Sequence, residues 1–347
     1  MNEANPLAAD LALILDRVDW EDLRGQRIFI TGGTGFFGTW LIESFLWANA
    51  RLHLGASATV LTRDAAGFAN RSPHLAADDA LTLVEGDVRT FAYPAGSFSH
   101  VIHAATPASA ALNAQDPLTM LDTIVEGTRR VLDFSVACGA RKLLLTSSGA
   151  VYGKQPAGMT HIPETYQGMP DTTNPASAYA EGKRMAELLC AIYHRRHGVE
   201  TKIARCFAFT GPGLPLDAHF AAGNFVRDRL RGGPIRVNGD GTARRSYLYA
   251  ADLMIWLWTI LFRGDSCRPY NVGSDQDVSI AELAALASAI GGNVPVQIAK
   301  QPVAGAEPER YVPDVRRARV ELGLGQIVSL AEGLRRTANR AAEKVTA

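Results

Sequence analysis

The chain has 347 residues, of which 47% are apolar and 20% charged, and its 35 basic residues equal its 35 acidic ones. Nucleic-acid-binding proteins meet phosphates with a basic excess, so no nucleic-acid partner is expected. The four cysteines form no C-x-x-C pair, which predicts free thiols rather than a metal or redox centre. Because the N-terminus lacks a basic segment and the densest apolar run, 253–262, is too short to cross a bilayer, we expect a cytoplasmic protein with no membrane partner.

Strands alternate with helices along the first part of the chain. Apolar spacing predicts a leading helix over 6–18, a buried strand over 27–31 and a helix from about 39 to 48. Further strands are predicted at 58–62, within 81–88, and at 100–105, 141–148 and 200–207, with helices over 121–139 and 178–197. The alternation predicts an α/β fold with a Rossmann-type, doubly wound parallel sheet.

The alternation of strands and helices ends at about residue 212, after which segments rich in Gly, Pro and charged residues separate short elements. We therefore predict three parts. Residues 1–26 form an N-terminal helical extension, and 27–211 form a Rossmann domain, for which the motifs described below predict NAD(P) binding and the catalytic residues. Residues 212–347 mostly form a smaller C-terminal substrate-binding lobe, with some segments returning to the Rossmann domain.

A glycine-rich turn follows the first predicted strand. Gly32, Gly35 and Gly38 give the spacing G-x-x-G-x-x-G at the start of a helix, with Thr34, Phe36 and Phe37 between them. Glycine lets such a turn tighten and lets the backbone approach a pyrophosphate, and the helix N-terminus supplies amide donors. This context predicts a dinucleotide cofactor.

The end of the second strand distinguishes NAD from NADP. An acidic residue there binds the ribose hydroxyls of NAD, whereas an arginine accommodates the extra phosphate of NADP. Thr62 stands where the acid is expected and Arg63 follows, so we predict NAD(P) with a preference for NADP; NAD is the alternative, because Asp64 can still serve a ribose. The other predicted cofactor contacts follow the third and fourth strands: Asp87, Val88, Ala104, Ala105 and Thr106.

Three side chains are candidates for catalysis. Tyr179 and Lys183 lie four residues apart on a predicted helix, which places them one turn apart on one face. A free tyrosine has a pKa near ~10, and a neighbouring ammonium and an oxidised nicotinamide both favour its phenolate. Tyr179 can then take the proton of a sugar hydroxyl as hydride leaves the same carbon, and Lys183 can hold the nicotinamide ribose. Ser148, which ends the fifth strand, can hydrogen-bond the reacting oxygen.

The chain resembles the extended short-chain dehydrogenases/reductases of the NAD-dependent epimerase/dehydratase group from about residue 27 to 323. The markers are TGGTGFFG (31–38), GDV (86–88), HAA (103–105), SSGAVYG (147–153), YAEGK (179–183), GDGTARRSYLYAADL (239–253), YNVGS (270–274) and RYVPD (310–314). Within the group, HAATPAS (103–109) and the segment 179–200 look most like UDP-glucuronate decarboxylases.

The resemblance implies a nucleotide diphosphate-sugar as substrate. It assigns Arg245 to the nucleotide's phosphates or base, Asn224 to the diphosphate, and Arg310, Tyr311 and Ser109 to substrate contacts. A salt bridge, with Asp252 as the candidate partner, is the alternative role for Arg245. The family's helices equivalent to 118–136 and 178–196 pair between subunits, which implies a homodimer.

The chain also departs from this family at positions that transfer protons. Hexose 4,6-dehydratases of the family carry an Asp-Glu pair where this chain has Gly149 and Ala150, and decarboxylases carry a Glu at the position of Ala150. A family asparagine in the helix before the fifth strand is Ile124 here, and the Asn of an R-x-x-N segment after Arg205 is Ala208.

These observations favour a nucleotide-sugar 4-epimerase or 4-keto reductase, since both reactions need only Tyr, Lys, Ser and a nicotinamide. The alternative is a decarboxylase or 4,6-dehydratase whose acid/base comes from the loop that holds His161, Glu164 and Asp171. A catalytically silent dinucleotide-binding protein ranks last, because such proteins usually lose the tyrosine or lysine. No metal site is predicted, since His194 and His197 lie among arginines without a carboxylate at ligand spacing.

Overall fold

The computed structural model describes residues 5–106, 109–218 and 220–346, so residues 1–4 of the predicted extension and 107–108 of the HAATPAS motif lie outside the described residues. The chain divides into two compact units. Unit 1 comprises Met1–Val151, Pro170–Arg205 and Met254–Tyr270, and unit 2 comprises Tyr152–Met169, Cys206–Leu253 and Asn271–Ala347.

The strands of the described residues are numbered in chain order. They are β1 Arg27–Thr31, β2 Ser57–Thr62, β3 Leu81–Glu85, β4 His100–His103, β5 Lys142–Ser148, β6 Glu200–Cys206, β7 Phe209–Thr210, β8 Ile235–Val237, β9 Arg244–Ser246, β10 Leu248–Tyr249, β11 Pro269–Val272, β12 Asp277–Ser279, β13 Val296–Ile298 and β14 Arg310–Tyr311. Across the residues that the structure describes, seven of them form one sheet in the order β11-β6-β5-β4-β1-β2-β3. The neighbours β1 and β2, β2 and β3, β1 and β4, and β4 and β5 run parallel. This topology confirms the predicted Rossmann-type α/β class.

The helices are numbered in the same way. They are α1 Ala8–Arg17, α2 Phe36–Leu52, α3 Ala65–Arg71, α4 Pro73–Ala76, α5 Ala110–Gln115, α6 Pro117–Ala137, α7 Ala178–His197, α8 Ala221–Leu230, α9 Ala250–Arg263, α10 Ile280–Ser288, α11 Arg316–Leu322 and α12 Leu330–Thr346. Within the described residues, no helix is long and apolar enough to span a membrane.

The core of unit 1 explains why its strands carry long apolar runs. In β1 every residue after Arg27 is buried, as parallel strands covered on both faces require. Phe29 stacks on Phe91 with ring centroids 5.5 Å apart and approaches Phe134 of α6 at 4.7 Å. Such aromatic pairs stabilise the fold beyond what the burial of their apolar surface contributes, so they hold α6 against the sheet.

Helix α7, which carries the candidate catalytic residues, has the bounds predicted from sequence. It ends at Gly198, whose φ of 75° is a left-handed conformation that glycine adopts without strain. Gly182 brings α7 close to α6, because a Cβ there would lie 3.1 Å from the Cδ1 of Ile124. Helix α2 begins at Phe36, three residues earlier than predicted, since the glycine turn itself forms the first helical turn.

The units differ from the predicted parts before residue 212, where 152–169 and 206–211 belong to unit 2, whereas a return of some later segments to the Rossmann domain was predicted. Residues 254–270, which include most of α9, belong to unit 1, and 152–169 belong to unit 2. Within unit 2, β12, β9 and β14 form a small sheet, and β13 pairs with β8. In the same unit, the Asp252 carboxylate accepts the backbone N–H groups of Ile327 and Val328 at 3.1 and 3.0 Å. Its role is therefore local, and the sequence-based pairing of Asp252 with Arg245 is wrong.

One carboxylate joins the N-terminal segment to the sheet of unit 1. The Asp22 carboxylate accepts hydrogen bonds from Lys142 Nζ at 2.6 Å, Arg141 at 2.7 Å and His100 Nε2 at 3.1 Å. Burial opposes ionisation of Asp22, but the hydrogen bonds from Lys142 and His100 outweigh it and hold the pKa of the carboxyl below its usual value. Burial also lowers the pKa of His100 to about 4.

We expect the Asp22→Asn variant to lower the melting temperature at pH 7, because it leaves the largely buried Lys142 ammonium without its counter-charge, at about 1–3 kcal/mol. Both pKa shifts predict that acid destabilises the fold. A group whose pKa is lower in the folded than in the unfolded protein stabilises the fold at pH values above its unfolded pKa, and this stabilisation is lost as the pH falls. The wild-type melting temperature should therefore decrease between the ordinary histidine pKa near ~6.5 and pH 4, and below. Glu21→Gln, which removes an exposed pair with Arg24, is the control; an equal effect of both variants at pH 7 would contradict the assignment.

Candidate active site

The glycine turn after β1 is packed too tightly for side chains at three positions. Gly32 has a φ of 72°, and a Cβ there would lie 2.5 Å from the carbonyl carbon of Ala104. A Cβ at Gly38 would lie 2.2 Å from the Gly32 oxygen, and one at Gly33 would lie 2.4 Å from Val60. These glycines let the turn, the start of α2 and the end of β4 approach one another.

Gly35 differs, because the fold leaves room for a side chain there. A Cβ would meet only the Gly32 oxygen, at 3.6 Å, and the φ of −86° suits any residue. Gly35 is exposed at the N-cap of α2, where the first amide N–H groups have no intrahelical acceptor. An open cradle of amide donors at a helix N-terminus fits a pyrophosphate, so the turn fits a dinucleotide.

An exposed arginine follows β2, and the carboxylates that follow β2 and β3 accept local hydrogen bonds. Arg63 is exposed, and Thr62 is buried with its hydroxyl 3.3 Å from that of Thr34. Asp64 caps α3 by accepting the N–H of Gly67 at 2.7 Å. The Asp87 carboxylate accepts the side-chain and backbone N–H of Arg89, and the hydrogen bond from the Arg89 side chain lowers its pKa.

The end of β4 is tied to β1 directly beneath the glycine turn. The backbone N–H groups of Ala104 and Ala105 donate to the backbone oxygen and the hydroxyl of Thr31. His103 lies buried between the hydroxyls of Thr31 at 2.8 Å and Thr128 at 3.0 Å. Burial, with a smaller effect of the Lys183 charge, lowers the pKa of His103 to about 3, so this imidazole is neutral and structural.

Lys183 is the best-defined group of the catalytic set. Its side chain is buried, and its Nζ donates to the Thr146 carbonyl at 2.7 Å and to the Thr106 hydroxyl at 2.8 Å. These contacts hold the ammonium at the carboxyl end of β5, next to Thr106, which the sequence assigned to the cofactor. A positive charge fixed there is suited to hold a ribose hydroxyl and to favour a tyrosine phenolate.

Tyr179 and Ser148 belong to the same unit as Lys183. Tyr179 lies in the first turn of α7, and its backbone N–H donates to the Asn113 side chain at 3.0 Å. Asn113 also donates to the Ala176 carbonyl at 2.8 Å, so this amide fixes the start of the helix. Ser148 ends β5, and its hydroxyl accepts the N–H of Ala150 at 3.1 Å.

The loop residues proposed as substitute acids or bases all have local partners. Glu164 accepts the backbone N–H of Asn271 at 2.9 Å, and burial raises the pKa of its carboxyl. His161 lies 2.9 Å from the Asp275 carbonyl, and Asp171 accepts the N–H and hydroxyl of Thr173. Ile124 of α6 is buried against Gly182 of α7 and has no group that can transfer a proton.

The predicted substrate-binding residues are distributed over both units. Ser109 belongs to unit 1 and caps α5 by accepting the N–H of Leu112. In unit 2, Asn224 accepts a hydrogen bond from Arg227, Arg245 pairs with Glu309, and the Tyr311 ring packs against Phe207 at a tilt of 36° with centroids 4.7 Å apart. Arg310 and Arg244 both bind Asp277, and β14 pairs with β9 so that Arg310 lies opposite Arg244. Their contacts with substrate remain predictions.

Residues 28–273 match the family described as the NAD dependent epimerase/dehydratase family. The chain belongs to this family. UDP-glucuronic acid decarboxylase 1 of Xenopus tropicalis is 32% identical over 312 residues, covering 90% of this chain and 71% of that protein. UDP-glucuronic acid decarboxylase 5 of Arabidopsis thaliana is 32% identical over 310 residues, covering 89% of this chain and 87% of that protein. A dTDP-glucose 4,6-dehydratase of Streptomyces venezuelae, solved with NAD bound, is 26% identical with a TM-score of 0.79, covering 92% of this chain and 98% of that chain.

Membership of the NAD dependent epimerase/dehydratase family makes this chain a nicotinamide-dependent enzyme, as the resemblance stated from its motifs predicted. Among the described residues, no group of three or more His, Cys, Asp and Glu is placed to hold a metal ion. Sequence reasoning did not find Asn113, because an asparagine in a short helix carries no motif.

Two glycine variants should separate cofactor binding from folding. Gly38→Ala places a Cβ against the Gly32 backbone, so we expect a lower melting temperature together with weaker cofactor binding. Gly35→Ala has room in the fold, so we expect an unchanged melting temperature and weaker binding of NAD(H) or NADP(H), measured by the quenching of tryptophan fluorescence. Undiminished cofactor affinity in a folded Gly35→Ala protein would show that the dinucleotide does not approach this turn.

Proposed function

We propose that this chain oxidises C4 of a nucleotide-bound uronic acid and so promotes the loss of its carboxyl group as CO2, the reaction named for the UDP-glucuronic acid decarboxylases that it resembles. The observation that carries the proposal is this similarity over 89–90% of the chain, together with a buried Lys183 fixed beside Thr146 and Thr106. This reverses the order of the two functions favoured by the sequence alone.

The groups of unit 1 are suited to the first step. A nicotinamide dinucleotide held by the glycine turn and Lys183 would supply the acceptor for the hydride of the sugar carbon. Tyr179, as phenolate, takes the proton of the C4 hydroxyl, and Lys183 favours the phenolate by its charge. Ser148 donates a hydrogen bond to the oxygen as it becomes a carbonyl.

Once C4 is a ketone, the carboxylate attached to C5 belongs to a β-keto acid. Its C5–C6 bond breaks, CO2 leaves, and the electron pair moves into an enolate whose oxygen is stabilised by Tyr179 and Ser148. C5 then takes a proton from Tyr179 or from water. This route needs no carboxylate at positions 149 and 150, whereas a 4,6-dehydratase must remove the C5 proton and protonate the C6 hydroxyl. Gly149 and Ala150 therefore argue against dehydration more strongly than against decarboxylation.

The test is mass spectrometry of the products after incubation of the purified protein with UDP-glucuronic acid and either NAD or NADP. We expect released CO2 together with either a UDP-pentose, when the hydride returns to C4, or its 4-keto form and an equal amount of reduced cofactor. Ala150→Glu restores the carboxylate that decarboxylases of this group carry, and it should retain or increase the rate. Loss of water from a UDP-hexose would refute the proposal, as would the absence of CO2 release while another nucleotide-sugar is consumed.

A second candidate is a 4-epimerase or 4-keto reductase. The small side chains at Gly149 and Ala150 favour it, because neither residue can transfer a proton and both leave space for a sugar ring to turn. A nucleotide-sugar that changes its retention time without a change of mass identifies the epimerase. A 4-keto sugar that gains two hydrogens identifies the reductase.

For the cofactor we propose NADP(H) over NAD(H). The proposal rests on exposed Arg63 at the end of β2 and on the commitment of Asp64 and Asp87 to local hydrogen bonds. Dissociation constants for both cofactors should favour NADP(H), and Arg63→Ala should weaken NADP(H) binding while leaving NAD(H) binding unchanged. A protein that binds NAD(H) more tightly, with or without Arg63, would disprove this preference.

We also propose a homodimer formed through α6 and α7. Met185, Leu188 and Ile192 are exposed at i, i+3 and i+7 on α7, and Leu118 is exposed on α6, so the two helices present apolar side chains to solvent. Leu188→Glu should convert a dimer to a monomer, as measured by light scattering after size exclusion. Val320→Glu, on α11, is the control, because Val320 is more exposed than Leu188. A monomeric wild-type protein at micromolar concentration would rule out this interface.

A further inference from the structure

A buried ion pair joins α7 to the sheet one helical turn after Lys183. Arg205 of β6 donates to both carboxylate oxygens of Glu187 on α7, at 3.0 and 2.7 Å. Both side chains are largely buried, with 14% and 12% of their surfaces exposed. The hydroxyl of Ser147 on β5 donates to the same carboxylate at 2.5 Å. One carboxylate thus joins α7 to two neighbouring strands of the sheet.

These contacts follow directly on those of Lys183, both along α7 and along β5. Glu187 follows Lys183 by one helical turn on the same face of α7. Lys183 is bound to Thr146, and Glu187 is bound to Ser147, so two successive turns of the helix are fixed to two successive residues of β5. The next residue of β5 is Ser148, and the preceding turn of α7 carries Tyr179.

A large apolar contact holds a helix on a sheet but permits small rotations and shifts. Charge-assisted hydrogen bonds are shorter and more directional, so they fix the rotation of the helix about its axis. A misplacement of about 1 Å in reacting groups can cost a rate factor on the order of a hundred. We propose that Glu187, held by Arg205 and Ser147, is a positioning residue that sets Tyr179 and Lys183 relative to Ser148. The kinetic consequence rests on the function proposed above.

The test compares Ser147→Ala, Glu187→Gln and a matched control. Ser147→Ala removes one hydrogen bond and leaves the ion pair intact, so it should fold even if Glu187→Gln does not. Glu200→Gln is the control, because Glu200 pairs with buried Lys202 at the opposite end of β6. For each protein we would measure kcat, KM for the nucleotide-sugar, the melting temperature, and hydrogen–deuterium exchange of residues 178–187.

We expect kcat of Ser147→Ala and Glu187→Gln to decrease about tenfold or more with KM unchanged. Exchange in 178–187 should be faster in both variants and unchanged in Glu200→Gln. A residue that only stabilises the fold would lower the melting temperature and leave kcat per folded enzyme unchanged, and that result would overturn the inference. If the wild-type protein turns over no nucleotide-sugar, the proposed function fails, and the exchange data still decide: equal exchange in all proteins refutes positioning by Glu187.

Discussion

Tyr179→Phe should abolish most turnover while the protein folds and binds its cofactor. The substitution removes only the phenolic oxygen, which in our proposal takes the proton from the C4 hydroxyl. General acid–base catalysis by one positioned group contributes about a hundred- to ten-thousand-fold, so we expect kcat to decrease by a factor in that range. The backbone contact of Tyr179 with Asn113 does not involve the side chain and should persist.

Tyr193→Phe provides the matched control for this prediction. Tyr193 lies on the same helix, and its hydroxyl donates to Asp133 at 2.5 Å on α6. The same atom is removed, so a small loss of stability is expected, with kcat unchanged. If Tyr179→Phe retained wild-type kcat, or if both variants lost activity equally, Tyr179 would not be the proton-transferring group.

The parts of the site that depend on local backbone geometry could be predicted from the sequence. The spacing of Gly32, Gly35 and Gly38 after a strand predicted a tight glycine turn, and close backbone packing excludes side chains at Gly32 and Gly38. The bounds of α7 were also predictable, since its apolar periodicity ends at a glycine that adopts positive φ.

The parts that depend on tertiary packing could not be predicted. No pattern linked Glu187 to Ser147 and Arg205, which lie 40 and 18 positions away in sequence. The partner of Arg245 was wrongly chosen for the same reason: Glu309 reaches it only because β14 pairs with β9. The sequence predicted that some segments after residue 212 return to the Rossmann domain, but 254–270 carries no motif that identifies it as one of them.

The departures at Gly149 and Ala150 limit what this site can do without identifying its reaction. A site with a tyrosine, a lysine and a serine can support oxidation of a sugar carbon by a nicotinamide and stabilise the oxygen that forms there. Which bond breaks next depends on the substituent that the sugar carries at C5. A carboxylate leaves as CO2 once its β-carbon is a ketone, whereas a hydroxymethyl group needs an acid and a base that positions 149 and 150 lack. In our proposal, a uronic acid therefore leaves decarboxylation and epimerisation open to this site, whereas dehydration of a hexose lacks its acid and base.

Lys183→Met should lower kcat about as much as Tyr179→Phe, but it should also change cofactor affinity and the pH dependence of the residual activity. Methionine retains the length of the side chain but removes the ammonium that donates to Thr146 and Thr106. The variant no longer buries a charge, which stabilises the fold, but the Thr146 carbonyl loses a hydrogen-bond donor, which destabilises it. Because the two effects oppose each other, we expect a small change in stability.

Two functional changes are expected in Lys183→Met. Cofactor affinity should decrease, because the ammonium no longer binds the ribose, and kcat should decrease about a hundredfold or more. The residual activity should rise toward more alkaline pH than in the wild type, because the charge that favours the Tyr179 phenolate is absent. Lys202→Met removes a buried ammonium on β6 that binds Glu200 and Ser266, and it should leave the pH profile unchanged. An unaltered pH profile in Lys183→Met would mean that Lys183 holds the cofactor without acting on Tyr179, and equal shifts in both variants would assign the effect to net charge alone.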